Sequence, residues 1–246
     1  MDAGIIIRNQ SAEYVLDSRF SNFEFVRKIR LSDITRNVSF QELANGAKVP
    51  DDEDFSYGPF NFFFGYRVFF IYIRPNEYFF SSYNRNKNTS NCLILQGGVS
   101  KAGQYIEVKK PFIEVRCPIG EVNESVIFFY GEKANTASKS NFGFQVFNEH
   151  GQLVYDASKQ YLKVIGIDNK SKSISNEGNV SIVNIGFKIF RRSWCAGKGW
   201  GELANFWAYE NGEILMKEIT LEDQTGKYVS NLESNLYYLL VDVTTL

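Results

Sequence analysis

The sequence predicts an all-β protein made of two antiparallel, β-sandwich-like domains. Three observations lead there. Aromatic residues make up 16% of the chain, with 22 Phe and 14 Tyr, and such rings pack well on the pleated surface of strands. Apolar residues recur with a period of two in many short runs, and no stretch sustains the longer period of a helix. One run, Gly143 to Ile165, has a weaker twin at Gly4 to Val26 that aligns with it without a gap. An internal repeat of this kind bears on the whole fold, because each copy builds a similar unit.

The two copies share their punctuation. Gly4, Asn9, Val15 and Asp17 match Gly143, Asn148, Val154 and Asp156, while Phe23, Phe25 and Val26 fall opposite Leu162, Val164 and Ile165. In the second copy Phe144, Val146 and Asn148 alternate with Gln145 and Phe147, as in a strand with one buried face. Asn148-Glu149-His150-Gly151 supplies a turn, since Asn and Gly accept left-handed backbone. Leu153, Val154 and Tyr155 return, and Asp156-Ala157-Ser158 ends the strand because Asp and Ser side chains compete for nearby backbone groups. Tyr161, Leu162, Val164 and Ile165 begin a third strand. Each copy therefore reads as a three-stranded meander. Ala12 replaces the turn glycine in the first copy, which predicts a different turn there.

Between the copies, Ser39 to Ala44 offers one helical turn, with Ser39 as cap and Glu42 three residues on. Asp51-Asp52-Glu53-Asp54 lacks the alternating spacing of a calcium loop and reads as solvated. Tyr66 to Ile73 is apolar on both faces of a strand, so it is expected to be buried twice or covered by a partner subunit. Pro75-Asn76 turns the chain, Tyr78 to Phe80 return, and Asn84 to Asn91 reads as an exposed loop tip. Cys92–Gln96 and Gln104–Val108 read as strands; Phe112, Glu114 and Arg116 alternate with Ile113, Val115 and Cys117; and Val126 to Tyr130 closes this half. Glu132 to Ser140, E-K-A-N-T-A-S-K-S, is the best linker in the chain. It sets the expected domains at 1–131 and 141–246, joined by 132–140.

Beyond the second copy, Asp168 to Asn179 is a polar loop and Val180 to Phe190 alternates like one long strand. Ala204–Tyr209 and Ile214–Ile219 flank Glu210-Asn211-Gly212, and Asn-Gly is the strongest short hairpin signal. Leu236 to Val243 is the closing strand.

Composition narrows the functional classes. Net charge is −1, so no long-range field draws the chain to nucleic acid or an anionic membrane. The basic run Arg27-Lys28-Ile29-Arg30 alternates like an exposed strand face. Cys92, Cys117 and Cys195 are widely spaced, with no C-x-x-C or Cys/His cluster, so free buried thiols are expected and no structural metal. Met1-Asp2-Ala3 lacks the basic start of a secretory signal, and the most apolar run, Phe60 to Ile73, is too short to span a bilayer as a helix.

Catalytic patterns are missing as well. The single histidine, His150, sits in a hairpin turn without a nucleophile motif beside it. Gly197-Lys198-Gly199-Trp200-Gly201 lacks the pattern of a phosphate loop. No catalytic residue, cofactor or metal is expected. The candidate contact residues are Trp194, Trp200, Trp207 and Tyr209, interleaved with Gly197, Gly199 and Gly201. Two readings stand for them: flat contact area for sugars or partner proteins, or a plug at the end of a sandwich core.

The segment Gly143–Ile165, following V-I-F-F-Y-G-E-K at Val126–Lys133, resembles a module of small proteins encoded among the tail genes of tailed bacteriophages. There an aromatic strand ends in a short polar loop, and a G-φ-x-φ-x-N-x-x-G-x-x-φ-φ-D-x-x-x-x-Y-L-x-V run follows. The hairpin of Met1–Asp17 is similar to how such proteins begin. The resemblance covers about a fifth of the chain and implies a virion component of the tail tip or fibre region, with no catalytic residue. On that reading the protein is made in the host cytoplasm, and its aromatic faces are expected to bury against copies of itself, as a homo-oligomer, or against other phage tail proteins. The alternative is a receptor- or carbohydrate-binding module that touches the host surface. Neither nucleic acid nor membrane insertion is expected.

Overall fold

The computed structural model describes residues 6–8, 14–17, 23–35, 56–61, 65–96, 111–132, 144–147, 150–174, 178–185, 188–194, 199–224 and 236–246. These residues are strands joined by turns, with two short 3-10 turns at Leu31–Asp33 and Ile119–Glu124. The all-β expectation holds.

Each repeat copy opens with a hairpin. The first pairs β1 (Ile6–Arg8) with β2 (Tyr14–Asp17), and the second pairs β11 (Gln145–Phe147) with β12 (Leu153–Asp156). Bounds and register agree residue for residue: Ile6 faces Asp17 as Gln145 faces Asp156, and a register shift follows Ile7 as one follows Val146. The gap-free sequence alignment thus has a matching backbone. Asp156 acts as the sequence predicts, its Oδ1 accepting from Ser158 N–H at 2.9 Å and from Ser158 Oγ at 2.6 Å. Gly151 has a φ of +73°, the left-handed turn geometry that glycine tolerates best.

The expected meanders end after two strands. The third segment of each copy, β3 (Glu24–Arg30) and β13 (Val164–Asp168), leaves its hairpin for the main sheet. There β3 pairs with β10 (Ser125–Gly131), which pairs with β6 (Glu77–Asn84). In the second half β13 pairs with β19 (Tyr237–Asp242), which pairs with β15 (Val180–Ile185). Strands β6 and β15 meet at Ser82 and Ile182. The row β3-β10-β6-β15-β19-β13 therefore has the same build read from either edge.

The second layer repeats too. In the first half β4 (Ser56–Asn61), β5 (Tyr66–Tyr72), β9 (Phe112–Pro118) and β8 (Leu93–Gln96) form a sheet in that order. In the second half β14 (Lys172–Ser173), β18 (Glu213–Gln224), β17 (Gly199–Glu210) and β16 (Lys188–Trp194) follow one another. Strand β7 (Thr89–Ser90) bonds to both β6 and β17, curling the main sheet from one layer into the other. The expected single strand Val180–Phe190 is instead β15 and β16, one in each layer. Asn211 and Gly212 adopt φ of 53° and 82° at the β17–β18 turn, as a two-residue hairpin requires.

Apolar side chains fill each half between its layers. In the first half Phe69, Ile71, Ile113, Val115, Ile127 and Phe129 form one buried cluster; in the second Val180, Ile182, Trp207, Tyr209, Ile214 and Tyr238 form another. Burying each large side chain stabilises the fold by about 1.5–3 kcal/mol. Two further clusters mix the halves: Tyr83, Phe128 and Tyr130 with Val183, Leu239 and Val241, and Leu93 and Leu95 with Ala204, Phe206 and Ala208. The halves on either side of 132–140 therefore share one sheet and part of one core. Of that linker only Glu132 is described; the segments at Ser39–Ala44, Asp51–Asp54 and Gln104–Val108 lie outside the described residues.

Candidate interaction surface

The structure describes the side chains of two of the four aromatic candidates. Trp207 and Tyr209 are 3% and 0% exposed, so they belong to the core of the second half and offer no contact surface. Trp207 is gripped on three sides. Its indole N–H donates to Leu236 O at 3.0 Å, its backbone N–H to Asn184 Oδ1 at 2.7 Å, and its carbonyl accepts from Asn184 Nδ2 at 3.0 Å. The backbone of Trp194 pairs with Gly199, and Ser193 with Trp200, at the open end of β16 and β17. The side chains of Trp194 and Trp200 lie outside the description. For the two described rings the core-plug reading is the one the packing fits.

Two sequence expectations about polar segments change. Asn84 and Asn91, expected at an exposed tip, are 1% and 2% exposed. Asn91 Nδ2 and Thr89 Oγ1 both donate to the buried Glu121 carboxylate, at 3.1 and 2.9 Å, and Asn84 Nδ2 reaches Glu121 O at 3.4 Å. Only the turn 85–88 fits the loop-tip reading. Arg27, expected on an exposed face, is largely buried against Glu77, whereas Lys28 and Arg30 are exposed. His150 is exposed in its turn. Among the described residues no group of His, Cys, Asp and Glu is placed to hold a metal ion, and no helix is long and apolar enough to cross a membrane.

The surface that stands out is the β13 edge. Val164, Ile165 and Ile167 are 42%, 47% and 63% exposed. Ile165 is the extra residue of a bulge, because Val164 faces Val241 while Gly166 faces Leu240. Ile167 faces Leu239, and one row further along the same face Tyr237 lies opposite Ile185. Tyr237 and Ile185 are also exposed, at 41% and 44%, so three neighbouring strands present Ile167, Tyr237 and Ile185 together. Its counterpart edge, β3, is built the other way. Lys28 occupies the place of Ile167 in the alignment of the two copies, and it faces Phe128 as Ile167 faces Leu239. Charged edges block strand-to-strand association; exposed apolar edges invite it. Sequence reasoning missed this contrast, although comparing Lys28 with Ile167 across the repeat contained it.

Both ends of β13 carry charge. Lys163 Nζ pairs with Asp242 at 2.6 Å and Lys172 Nζ with Asp168 at 3.2 Å. The Asp168 carboxyl is held below its ordinary value, first by the Asn169 backbone N–H and then by Lys172. Burial works to raise Asp242, but hydrogen bonds from Lys163 and Thr244 outweigh it and leave the group low. Both are anionic near neutrality.

A concavity lies beside β3. It is a cleft of about 230 Å³ with Phe128, Val126 and Val243 at its floor and Lys28, Arg30 and Arg85 among its walls.

No family model matches the chain, and no curated protein or solved structure matches it.

Proposed function

We propose that this chain is a structural virion protein of a tailed bacteriophage, a tail-tip or fibre-attachment component that acts by protein–protein assembly and not as an enzyme. The observation that carries the assembly role is the apolar edge Val164–Ile167, continuous with Ile185 and Tyr237. The phage context rests on the resemblance of Gly143–Ile165 and Met1–Asp17 to tail-gene modules. The partner at the edge is a second copy. In an antiparallel pairing centred between Ile165 and Gly166, Lys163 of one copy faces Asp168 of the other and Val164 faces Ile167. Such a two-fold pairing uses the same patch twice and sets opposite charges against one another at both ends.

Light scattering over a range of protein concentrations tests the assembly role. A defined oligomer that Ile167→Asp converts to monomer, with thermal stability unchanged, is the expected result. A wild-type protein that stays monomeric throughout removes self-assembly. Mass spectrometry of purified virions from the host strain tests the phage context, and absence of the protein from particles overturns it.

A receptor-binding reading is favoured by the cleft, where Lys28, Arg30 and Arg85 outnumber the one carboxylate, Glu124, which suits a carboxylate-bearing sugar. It predicts saturable binding of an acidic glycan that Arg30→Gln weakens.

A further inference from the structure

Cys92 and Cys117 stand across from one another where the chain passes from the main sheet into the second layer of the first half. The β8–β9 ladder pairs Leu93 with Arg116, and the same register carried one residue further sets Cys92 opposite Cys117. The Cys92 backbone N–H donates to Ser82 Oγ at 3.3 Å, so it is not engaged with the Cys117 carbonyl. That arrangement fits a non-hydrogen-bonded antiparallel pair, in which Cα atoms approach to about 4.5 Å and side chains come closest. Disulfides need a Cα separation of roughly 4.4–6.8 Å, so such a backbone is within range.

The side chains share one buried cluster. Both point into the cluster of Phe69, Ile71, Val115 and Ile127, and they are 5% and 0% exposed. The Cys117 thiol has Ser125 Oγ at 3.5 Å and Pro118 O at 3.6 Å. The neighbouring Cys92 thiol, and then burial, push the Cys117 thiol above its ordinary value, so at neutral pH it is protonated and slow to react.

We propose that Cys92 and Cys117 form a cross-strand disulfide when the folded protein meets a small-molecule disulfide oxidant of the glutathione disulfide class. Cys92, the more accessible of the two, reacts first. Its thiolate attacks one sulfur of the oxidant, the oxidant's S–S bond breaks, and one glutathione leaves with the proton Cys92 gave up. The Cys117 thiolate then attacks the Cys92 sulfur of the mixed disulfide and displaces the second glutathione, which takes the Cys117 proton. The protein loses two protons and two electrons, and the oxidant gains both. The bond ties β8 to β9 and closes the chain between Cys92 and Cys117 into a ring. A closure of that length raises the melting temperature by on the order of 10 °C. This site lies in the core, apart from the β13 edge, and is independent of the assembly reading.

The test uses the full chain with Cys195→Ser, purified reduced and then incubated folded with glutathione disulfide at neutral and mildly alkaline pH. The expected product has lost the mass of two hydrogens, yields a Cys92–Cys117 linked peptide, forms faster at the higher pH and melts at higher temperature than the reduced protein. With Cys92→Ser added, no intramolecular bond forms and the melting temperature does not respond to the oxidant. The proposal is overturned by a folded protein that keeps both thiols through this treatment although both label once denatured. It is equally overturned by a glutathione adduct on Cys92 that persists without being displaced by Cys117.

Discussion

Arg27 and Glu77 are joined by a two-pronged ion pair, Nε to Oε1 at 2.7 Å and Nη2 to Oε2 at 2.9 Å. The Glu77 side chain is 1% exposed and the Arg27 side chain 12%. Arg27 Nη2 also donates to Tyr72 O at 2.6 Å, Arg74 N–H donates to Glu77 Oε2 at 3.0 Å, and the guanidinium lies 4.2 Å from the Phe129 ring centroid. One charged pair thus ties β3 to the turn between β5 and β6.

Breaking that pair from one side leaves a buried charge without its partner. Arg27→Met is expected to lower stability by about 3–5 kcal/mol, because Glu77 then pays its desolvation uncompensated. The double variant Arg27→Met, Glu77→Leu is expected to recover most of the loss. Urea unfolding of the three proteins checks this, and a single variant as stable as wild type refutes it.

Gly131 and Asn76 make the next contact along the same turn. A Cβ on Gly131 falls 1.8 Å from Asn76 O, and the Glu132 N–H donates to that oxygen at 3.0 Å. Backbone, not a movable side chain, blocks the space. Gly131→Ala is therefore expected to cost several kcal/mol, of the size seen for severe overpacking, about 3 kcal/mol. At Gly151 a Cβ meets nothing within 4 Å, so Gly151→Ala costs only the positive-φ strain, roughly 1–2 kcal/mol. Thermal melts of both variants side by side give the ranking; equal losses contradict it.

The sequence carried much of this fold because its signals were local. Short apolar runs marked β5 and β10, alternation marked β9, Asn211-Gly212 placed the long hairpin, and Asp156-Ala157-Ser158 ended β12 as it should. The repeat was legible too, since matched Gly, Asn and Asp positions produce matched registers. What stayed hidden was partner choice. Tyr161 to Ile165 shows that a third strand begins, but nothing in it says that β13 pairs with β19 and not with β12. Long-range pairing also buried what composition marked as polar: Asn84 and Asn91 beside Glu121, and Arg27 beside Glu77. Trp207 and Tyr209, two residues apart and so on one face of β17, went to the core for the same reason.

Alkaline pH is expected to loosen the fold through two tyrosines. Burial pushes Tyr161 and Tyr238 up to about 12 each, from an ordinary value of 10.0. A raised phenol value means the folded state holds the proton more tightly than the unfolded chain. Their contribution to stability is complete below pH about 10 and is lost as the pH rises through about 12. Melting temperature measured across that interval should fall, and more steeply for wild type than for Tyr238→Phe, which cannot ionise. The Tyr238 hydroxyl donates to Lys170 O at 2.8 Å, so the variant starts lower at neutral pH by about 1 kcal/mol. Parallel curves for the two proteins refute the assignment.

The charge arrangement at the β13 edge sets a sharper test than removal of an apolar residue. Lys163 is 70% exposed at its side chain, and it faces Asp168 only in the antiparallel pairing of two copies. Lys163→Glu places like charges at both ends of that pairing and is expected to weaken self-association by about 10-fold or more, since directly opposed like charges destabilise a strand pair by up to about 1 kcal/mol each. Asp168→Lys alone is expected to act the same way. Mixed together, the two variants form a heterodimer. At one end the glutamate introduced at position 163 meets the lysine introduced at position 168, and at the other Lys163 still meets Asp168. Sedimentation of each variant alone and of the mixture reads this directly. Association restored only in the mixture fixes both the strand and its register. Variants that associate as wild type place the partner elsewhere, and Met216→Asp, on β18 with 44% of its surface exposed, serves as the substitution that leaves the edge intact.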